Sequence, residues 1–343
     1  MTLPRRRAAA PAVLDRPRLF ILVAGLLLLA TLIAGETVDG DSGPDIFSAA
    51  GRLGDRLAPL HWQFTAIVLG LAALHYAATA VTLRAASGLT LPFRENLLVQ
   101  FAAAAANRVS AAGLGGSAVN ARYLTRRGLP AAGAVGAVTG MAVLGGVADF
   151  LLLLVLVLAG RWLGFHGAAG EIGRLGHKLA AFASLAHSWW ALAAGAALGL
   201  VGLVLAHRIG RRLRGAVHQF WSPVRQLLAD PARLATLLVA SAATTLVLAL
   251  AFLASIAVVP GTHSVQLGAM LVAFMFGAAA GNAAPLPAGI GSTEAALTGV
   301  LVATGLPLSA SIEVVLIFRV ITFWAPPILG LFALRRLRRL AAI

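Results

Sequence analysis

The 343-residue chain is 59% hydrophobic and only 11% charged, with a mean hydropathy of +0.90. Soluble domains typically carry about 25% charged residues, so this composition excludes a soluble globular protein. Its formal net charge of +15 comes from arginines that cluster at the ends of apolar segments, which is typical of membrane topology rather than of nucleic-acid binding. The absence of cysteine excludes disulfides and thiolate chemistry.

In chain order, apolar runs of about 20 residues predict an all-α polytopic membrane protein with six full transmembrane helices. The predicted spans are 18–35, 61–83, 131–160, 188–206, 234–259 and 309–334. Two further apolar regions, 96–125 and 265–304, are interrupted in the middle by glycine or proline. Each of them either crosses the membrane once or forms a helical hairpin that enters and leaves on the same side.

The distribution of basic residues decides between these two topologies. The basic segments are 1–17, 84–94, 126–127, 207–233 and 335–343, whereas 36–60 and 161–187 are poorer in basic residues for their length. With a cytoplasmic N-terminus and two hairpins, every basic segment falls on the cytoplasmic side. If one of the two regions instead crosses the membrane once, the basic tail falls outside. If both regions cross once, the 207–233 loop falls outside. We therefore predict one integral membrane domain over 1–343, with cytoplasmic termini and two re-entrant hairpins that open from opposite sides.

The two interrupted regions also resemble each other. "SAAGLGGSAVN" (Ser110–Asn120) aligns without gaps with "LPAGIGSTEAA" (Leu286–Ala296). The alignment places Gly113 on Gly289 and Gly115 on Gly291. Together with the opposite entry sides, this match predicts an inverted repeat whose discontinuous helices meet near the membrane midplane.

Broken helices at membrane depth present backbone groups that only protein or a watery cavity can satisfy. The half-helix that begins near Ser292, with Glu294 in its first turn, is expected to direct free N–H groups at such a cavity. The first hairpin is expected to do the same near Gly115 and Gly116. These glycines either let the backbone approach a ligand or simply permit close helix packing.

Ionisable residues inside a membrane each cost about 2.5–3.5 kcal/mol, so each one is a candidate functional residue. Arg319 or Arg108 is expected to face Glu294 or Asp149. A purely structural ion pair is the alternative, and Arg122 has the further option of reaching the membrane interface. The complete set is Arg108, Arg122, Asp149, Glu294, Glu313 and Arg319.

The sequence offers little for enzymatic or metal chemistry. Its eight histidines show no HExxH spacing, and neither a GxSxG motif nor a Walker loop is present. We therefore predict no metal, no cofactor and no enzymatic activity, and an intramembrane enzyme is disfavoured because no pair of nucleophile and base is visible.

Four stretches carry a family resemblance: "SGLTLPFRENLLVQF", "NRVSAAGLGGSAVNARYLTRRG", "PLPAGIGSTEAALTGVLVATGLP" and "FRVITFWAPPILG". They resemble the membrane domain of lysylphosphatidylglycerol synthases, which also occurs alone in a flippase-like integral membrane family. The resemblance covers about 59–334 and implies a cell-membrane translocator of an anionic or isoprenoid-linked lipid. The sequence ends at Ile343 without the soluble aminoacyl-transferring domain, so lysyl transfer is not expected.

The resemblance also implies site residues, although Ser-Ala-Ala precedes Gly113 where a proline is commoner in the family. In the first half the family pattern falls on Asn107, Arg108, Gly113, Gly115, Gly116, Asn120 and Arg122. In the second half it falls on Pro285, Pro287, Gly289, Gly291, Glu294, Ala295 and Arg319.

The leading hypothesis is a lipid flippase in which a negative headgroup enters a cleft between the hairpins. Arg108, Arg122 and Arg319 would bind the phosphate with the help of the half-helix that starts at Ser292, because the planar guanidinium group binds phosphate bidentately. Acidic residues would balance charge or carry a coupling proton: Asp149, Glu294 and Glu313. The alternatives are a non-transporting partner of a glycosyltransferase or lipid-modifying enzyme, and a secondary transporter of a soluble substrate.

Overall fold

The computed structural model describes residues 60–110, 114–162, 218–260, 262, 267–283, 291–340 and 342–343, and the regular structure of these residues is helical. From His61 onward they belong to one unit that extends to Ile343. The helices are α1 Trp62–Ser87, α2 Phe93–Val109, α3 Gly115–Arg126, α4 Ala131–Trp162, α5 over 218–229, α6 Pro231–Val258, α7 Leu267–Ala283, α8 Ser292–Ala303, α9 Leu308–Arg319 and α10 Ala325–Arg339. A π-helical turn, Val320–Trp324, joins α9 to α10.

Four helical segments are long and apolar enough to cross a membrane, which makes this a multi-pass membrane protein. They are Trp62–Ser87, Ala131–Leu156, Pro231–Val258 and Leu308–Arg339. These segments coincide with four of the six predicted spans, and the other two, 18–35 and 188–206, lie outside the described residues. One face of α4 leaves large apolar side chains exposed, among them Phe150 and Leu158, as expected of a surface in contact with lipid.

The first interrupted region folds into an antiparallel helical hairpin. Three side-chain contacts join α2 to α3, each one farther from the break: Asn107 with Gly116, Gln100 with Asn120, and Glu95 with Arg127. From one contact to the next, the α2 partner lies earlier in the chain and its partner lies later. The two helices therefore run in opposite directions. The predicted bounds of 96–125 agree closely with the observed Phe93–Val109 and Gly115–Arg126.

The second interrupted region has the same proportions. α7 and α8 pack against each other, with Gly277 so close to Leu297 that an added Cβ would lie 3.0 Å from that side chain. The first helix of each pair has 17 residues and the second has 12. At 1.5 Å per residue these lengths are about 25 and 18 Å, both less than the ~30 Å hydrocarbon core of a bilayer.

The described fold contains the same arrangement twice, namely a long helix, a helix pair and a second long helix. In both halves the first long helix contacts the pair and the last helix, and the pair contacts the last helix. The two first helices, α1 and α6, run antiparallel. Their contacts are His61 N to Val258 O at 2.9 Å, His75 Nδ1 to Thr244 O at 3.1 Å and Arg233 Nη2 to Ala85 O at 3.1 Å. The first long helices of the two halves therefore run in opposite directions.

The arginine-rich segments of the described chain lie at one end of the fold. Arg127 pairs with Glu95 at the base of the first helix pair, and Arg233 reaches the last turn of α1. Leu91 and Leu337 share one buried cluster, which brings the basic C-terminal segment to the same end. The positive-inside rule likewise predicts that these basic segments lie on one side of the membrane.

Packing of α10 on α2 depends on a glycine. A Cβ added to Gly330 would lie 2.1 Å from the carbonyl oxygen of Phe101. We expect Gly330→Ala to lower the free energy of unfolding by about 1–3 kcal/mol, because backbone rather than a flexible side chain must move. Thermal unfolding of the purified protein in detergent measures this change.

Gly299 provides the matched control because it also lies inside a helix but has nothing within 4 Å of the added Cβ. Gly299→Ala is expected to be neutral or to stabilise by up to about 1 kcal/mol, since alanine is the better helix former. Equal destabilisation by both substitutions would show that close packing at Gly330 is not the cause.

Candidate functional site

The site begins with a distortion in the last membrane helix. Pro326 and Pro327 have no backbone N–H, so the carbonyls four residues earlier, at Thr322 and Phe323, lose their helical donors. The chain adopts the π-helical turn Val320–Trp324 at this point, a feature that is frequent at functional sites. The freed Phe323 carbonyl lies 3.4 Å from Arg108 Nε, which donates a hydrogen bond to it.

The ring of Phe323 contacts two arginines. The guanidinium carbon of Arg108 lies 3.3 Å from the ring centroid, and that of Arg319 lies 3.6 Å from it. Arg108 comes from the end of α2 and Arg319 from the end of α9, so one aromatic ring brings together cations from the first hairpin and the last span. Cation–π contacts of this kind offset part of the cost of burying the charges.

Glu294 connects the second hairpin to this pair. Its Oε1 accepts a hydrogen bond from Arg319 Nε at 2.7 Å, and its Oε2 accepts one from Gly291 N at 2.8 Å. Gly291 precedes α8 with φ +85°, a conformation that favours glycine. Glu294, the third residue of α8, therefore satisfies a backbone N–H at the start of the helix and pairs with Arg319, which is only 8% exposed.

Two buried polar atoms at this junction have no hydrogen-bond partner in the described part of the chain, Arg319 Nη2 and Thr293 Oγ1. Unsatisfied buried donors are costly, so they mark places where a further acceptor is expected. The two arginines carry two positive charges and Glu294 carries one negative charge. One positive charge within this group is therefore uncompensated. Both features favour an anion that offers several oxygen acceptors.

The arginine pair lies halfway along the long helices. Arg319 and Phe323 are near the middle of the apolar segment Leu308–Arg339, and the π-helical turn that contains Phe323 contacts α1. Arg108 lies beside the break of the first hairpin, and Glu294 lies beside the break of the second. The inner ends of both hairpins therefore meet at one level.

The structure gives the first hairpin's glycines a different role from the expected one. Gly115 N donates to Ser110 Oγ at 2.8 Å, and Gly116 N donates to Asn107 Oδ1 at 2.5 Å. The expectation that these N–H groups are free for a ligand is therefore wrong. A Cβ on Gly115 would lie 2.3 Å from Ala106 O, so close packing of the two helices explains this glycine.

Asn120 belongs to a buried amide ladder that braces the first hairpin. Gln100 donates to both Asn120 and Asn96, at 3.4 and 3.1 Å, and Asn96 donates to Ala80 O at 2.7 Å. These contacts connect α3, α2 and α1. Asn120 therefore has a structural role in bracing the hairpin and is not part of the arginine pair's surroundings.

The remaining candidates occupy separate positions. Asp149 accepts a hydrogen bond from Thr245 Oγ1 at 2.5 Å, which links α4 to α6. Arg122 is exposed on α3, whereas Arg319 is buried. Ser292, at the start of α8, and Glu313, on α9, are half-buried. Four predicted site residues lie outside the described residues: Gly113, Pro285, Pro287 and Gly289.

Sequence reasoning missed Phe323, Thr293 and Ser110. The Ala-Pro-Pro motif after Trp324 was a usable indication, because consecutive prolines in an apolar helix free the carbonyls before them. Thr293 and Ser110 have no comparable motif, since their environment depends on packing. Within the described residues, no three His, Asp or Glu side chains lie close enough together to bind a metal ion.

Comparison with known proteins adds the family. A model described as the lysylphosphatidylglycerol synthase TM region matches residues 46–330, which include the whole arginine site. No individually curated protein gives a significant match. Since the match spans most of the sequence, the chain belongs to the lysylphosphatidylglycerol synthase TM region family.

Proposed function

We propose that this membrane protein translocates an anionic lipid between the leaflets of the cell membrane, and that Arg108 and Arg319 bind its phosphate. The observation that carries the proposal is the arginine pair at the junction of the two hairpins, in which Arg319 is buried, Arg108 is half-buried and one positive charge is uncompensated. Family membership supports a role connected with membrane lipids. The substrate class is an anionic phospholipid or a polyprenyl-phosphate-linked lipid.

In this proposal both helix pairs are re-entrant hairpins of an inverted repeat. Their helices are shorter than the hydrocarbon core, and their inner ends meet at the level of Arg319. The first hairpin opens at the arginine-rich end of the fold, which the positive-inside rule assigns to the cytoplasm together with the C-terminus. The antiparallel course of α1 and α6 supports alternating access to one central site.

The contacts suggest how a headgroup would be accommodated. Without substrate, Phe323 compensates the two guanidinium groups through its ring and its carbonyl oxygen. A phosphate would offer oxygen acceptors to Arg319 Nη2 and to Arg108, while Glu294 keeps Arg319 in position through Nε. The acyl or prenyl tails would remain in the bilayer, and Asp149 and Glu313 are our candidates for charge balance or proton coupling.

A dithionite-quenching assay in proteoliposomes tests the function. Fluorescent phosphatidylglycerol is expected to exchange between leaflets faster than in protein-free liposomes and faster than fluorescent phosphatidylcholine in the same proteoliposomes. A polyprenyl phosphate, assayed separately, covers the second substrate class. Failure to accelerate either anionic lipid would contradict translocation. Co-purification with a lipid-modifying enzyme would then favour the scaffold hypothesis, and uptake of a water-soluble tracer would favour the secondary transporter.

A further inference from the structure

A basic cavity lies at the arginine-rich end of the fold, between the last turns of α1, the 88–92 linker and the start of α6. Its volume is about 350 Å³, within the usual range of ligand pockets. Among the described residues, the charged side chains that line it are Arg84 and Arg233. The part of the wall formed by described residues therefore carries two positive charges and no negative one.

Arg233 is held rigidly in the cavity wall. Its Nε and Nη2 donate to the carbonyl oxygen of Ala85 at 3.4 and 3.1 Å. Gly88, with φ +68°, ends α1 directly beneath the guanidinium group, where an added Cβ would lie 2.5 Å from Nη2. The carboxylate of Asp230 caps α6 by accepting from the backbone N–H of Arg233 at 3.1 Å. Arg233 is thus oriented before any ligand arrives.

Arg84 differs from Arg233 because its side chain is exposed and makes no hydrogen bond or ion pair within the described part of the chain. The rest of the wall is largely apolar and includes Val81, Leu89 and Phe93, and Phe93 is exposed. Two arginines beside apolar side chains, at the ends of two membrane-spanning helices, are complementary to a lipid headgroup and the start of its tails.

We propose that this cavity binds the phosphodiester of an anionic phospholipid from the leaflet at the arginine-rich end. Arg233 supplies a fixed cation, and the exposed Arg84 supplies a second guanidinium donor to the phosphate. The site is separate from the pair formed by Arg108 and Arg319, and it does not rest on translocation.

The absence of cysteine permits a local readout. We would introduce Thr90→Cys, at the exposed rim of the cavity, label it with an environment-sensitive fluorophore and titrate the purified full chain with short-chain phosphatidylglycerol. Arg84→Gln is expected to weaken the binding seen by this label about tenfold, as for loss of one charge-assisted hydrogen bond. Since the Arg84 side chain is exposed and makes no hydrogen bond or ion pair with the described residues, this variant is expected to fold as the unsubstituted protein does.

Arg126→Gln is the control, because Arg126 is an exposed arginine at the same end that does not line the cavity. It is expected to leave the titration unchanged. Equal binding by Arg84→Gln and the parent protein, or equal weakening by Arg126→Gln, would overturn the site. A response to phosphatidylcholine or to inorganic phosphate at the same concentration would overturn the assignment to an anionic lipid.

Discussion

Replacement of Arg319 by glutamine is expected to reduce phosphatidylglycerol translocation in proteoliposomes by about tenfold or more, the effect of losing a charge-assisted contact worth at least about 1.5 kcal/mol. Arg319 is buried, is oriented by Glu294 and has a free donor, Nη2, at the junction of the hairpins. Glutamine removes the charge and the forked donor geometry that phosphate recognition requires. The dithionite assay provides the measurement.

Arg122→Gln is the matched control for this result. Arg122 was assigned to the phosphate site on sequence grounds, together with Arg108 and Arg319, but it is exposed on α3. Its replacement is therefore expected to leave translocation close to that of the parent protein, whereas Arg108→Gln is expected to impair it. Normal translocation by both Arg108→Gln and Arg319→Gln would remove the arginine pair from the mechanism.

Replacement of Glu294 by alanine is expected to have the largest effect on stability. It leaves Arg319 buried without its carboxylate partner and Gly291 N without its acceptor. Removing one partner of a buried ion pair costs about 3–5 kcal/mol because the remaining charge is uncompensated. Chemical denaturation in mixed detergent micelles, followed by helical circular dichroism, measures this loss.

Glutamine at the same position separates the two contributions. Glu294→Gln retains one oxygen acceptor for Gly291 N but replaces the other oxygen with an NH2 donor, so it removes the charge together with the bond to Arg319 Nε. Because the acceptor for Gly291 N remains, its destabilisation is expected to be smaller than that of Glu294→Ala. The double variant Glu294→Gln with Arg319→Gln removes both charges and is expected to recover part of the stability but none of the translocation. A loss below about 1 kcal/mol for Glu294→Ala would mean that the pair behaves as an exposed one.

The sequence predicted only part of the site that the substitutions of Arg319 and Glu294 test. Arg319 was expected to face Glu294 or Asp149, and the structure selects Glu294, whereas Asp149 bonds Thr245. The sequence alone could not decide between Glu294 and Asp149, because both acids lie on apolar segments with similar local composition. Which of them meets an arginine depends on how α8 and α4 pack, and those contacts join residues far apart in the chain.

The first hairpin shows the same limit. The interrupted apolar region predicted two short helices here, and the observed helices fall close to the predicted bounds. The role of Gly115 and Gly116 did not follow, because a glycine that admits a ligand and one that admits a neighbouring helix look identical in sequence. The hydrogen bonds that Gly115 N and Gly116 N donate to Ser110 and Asn107 show that these glycines serve helix packing here.

By itself the sequence determined the membrane class, the positions of the four described spans, the two interrupted regions and the internal similarity between them. These features depend on hydropathy, helix-breaking residues and charge, which act locally or as sums along the chain. Only the tertiary structure decided that α1 and α6 are antiparallel, and that Phe323 brings Arg108 and Arg319 together while Glu294 pairs with Arg319. The physical reason is that burial and pairing of a charge depend on its neighbours in space, and the fold draws those neighbours from distant parts of the chain.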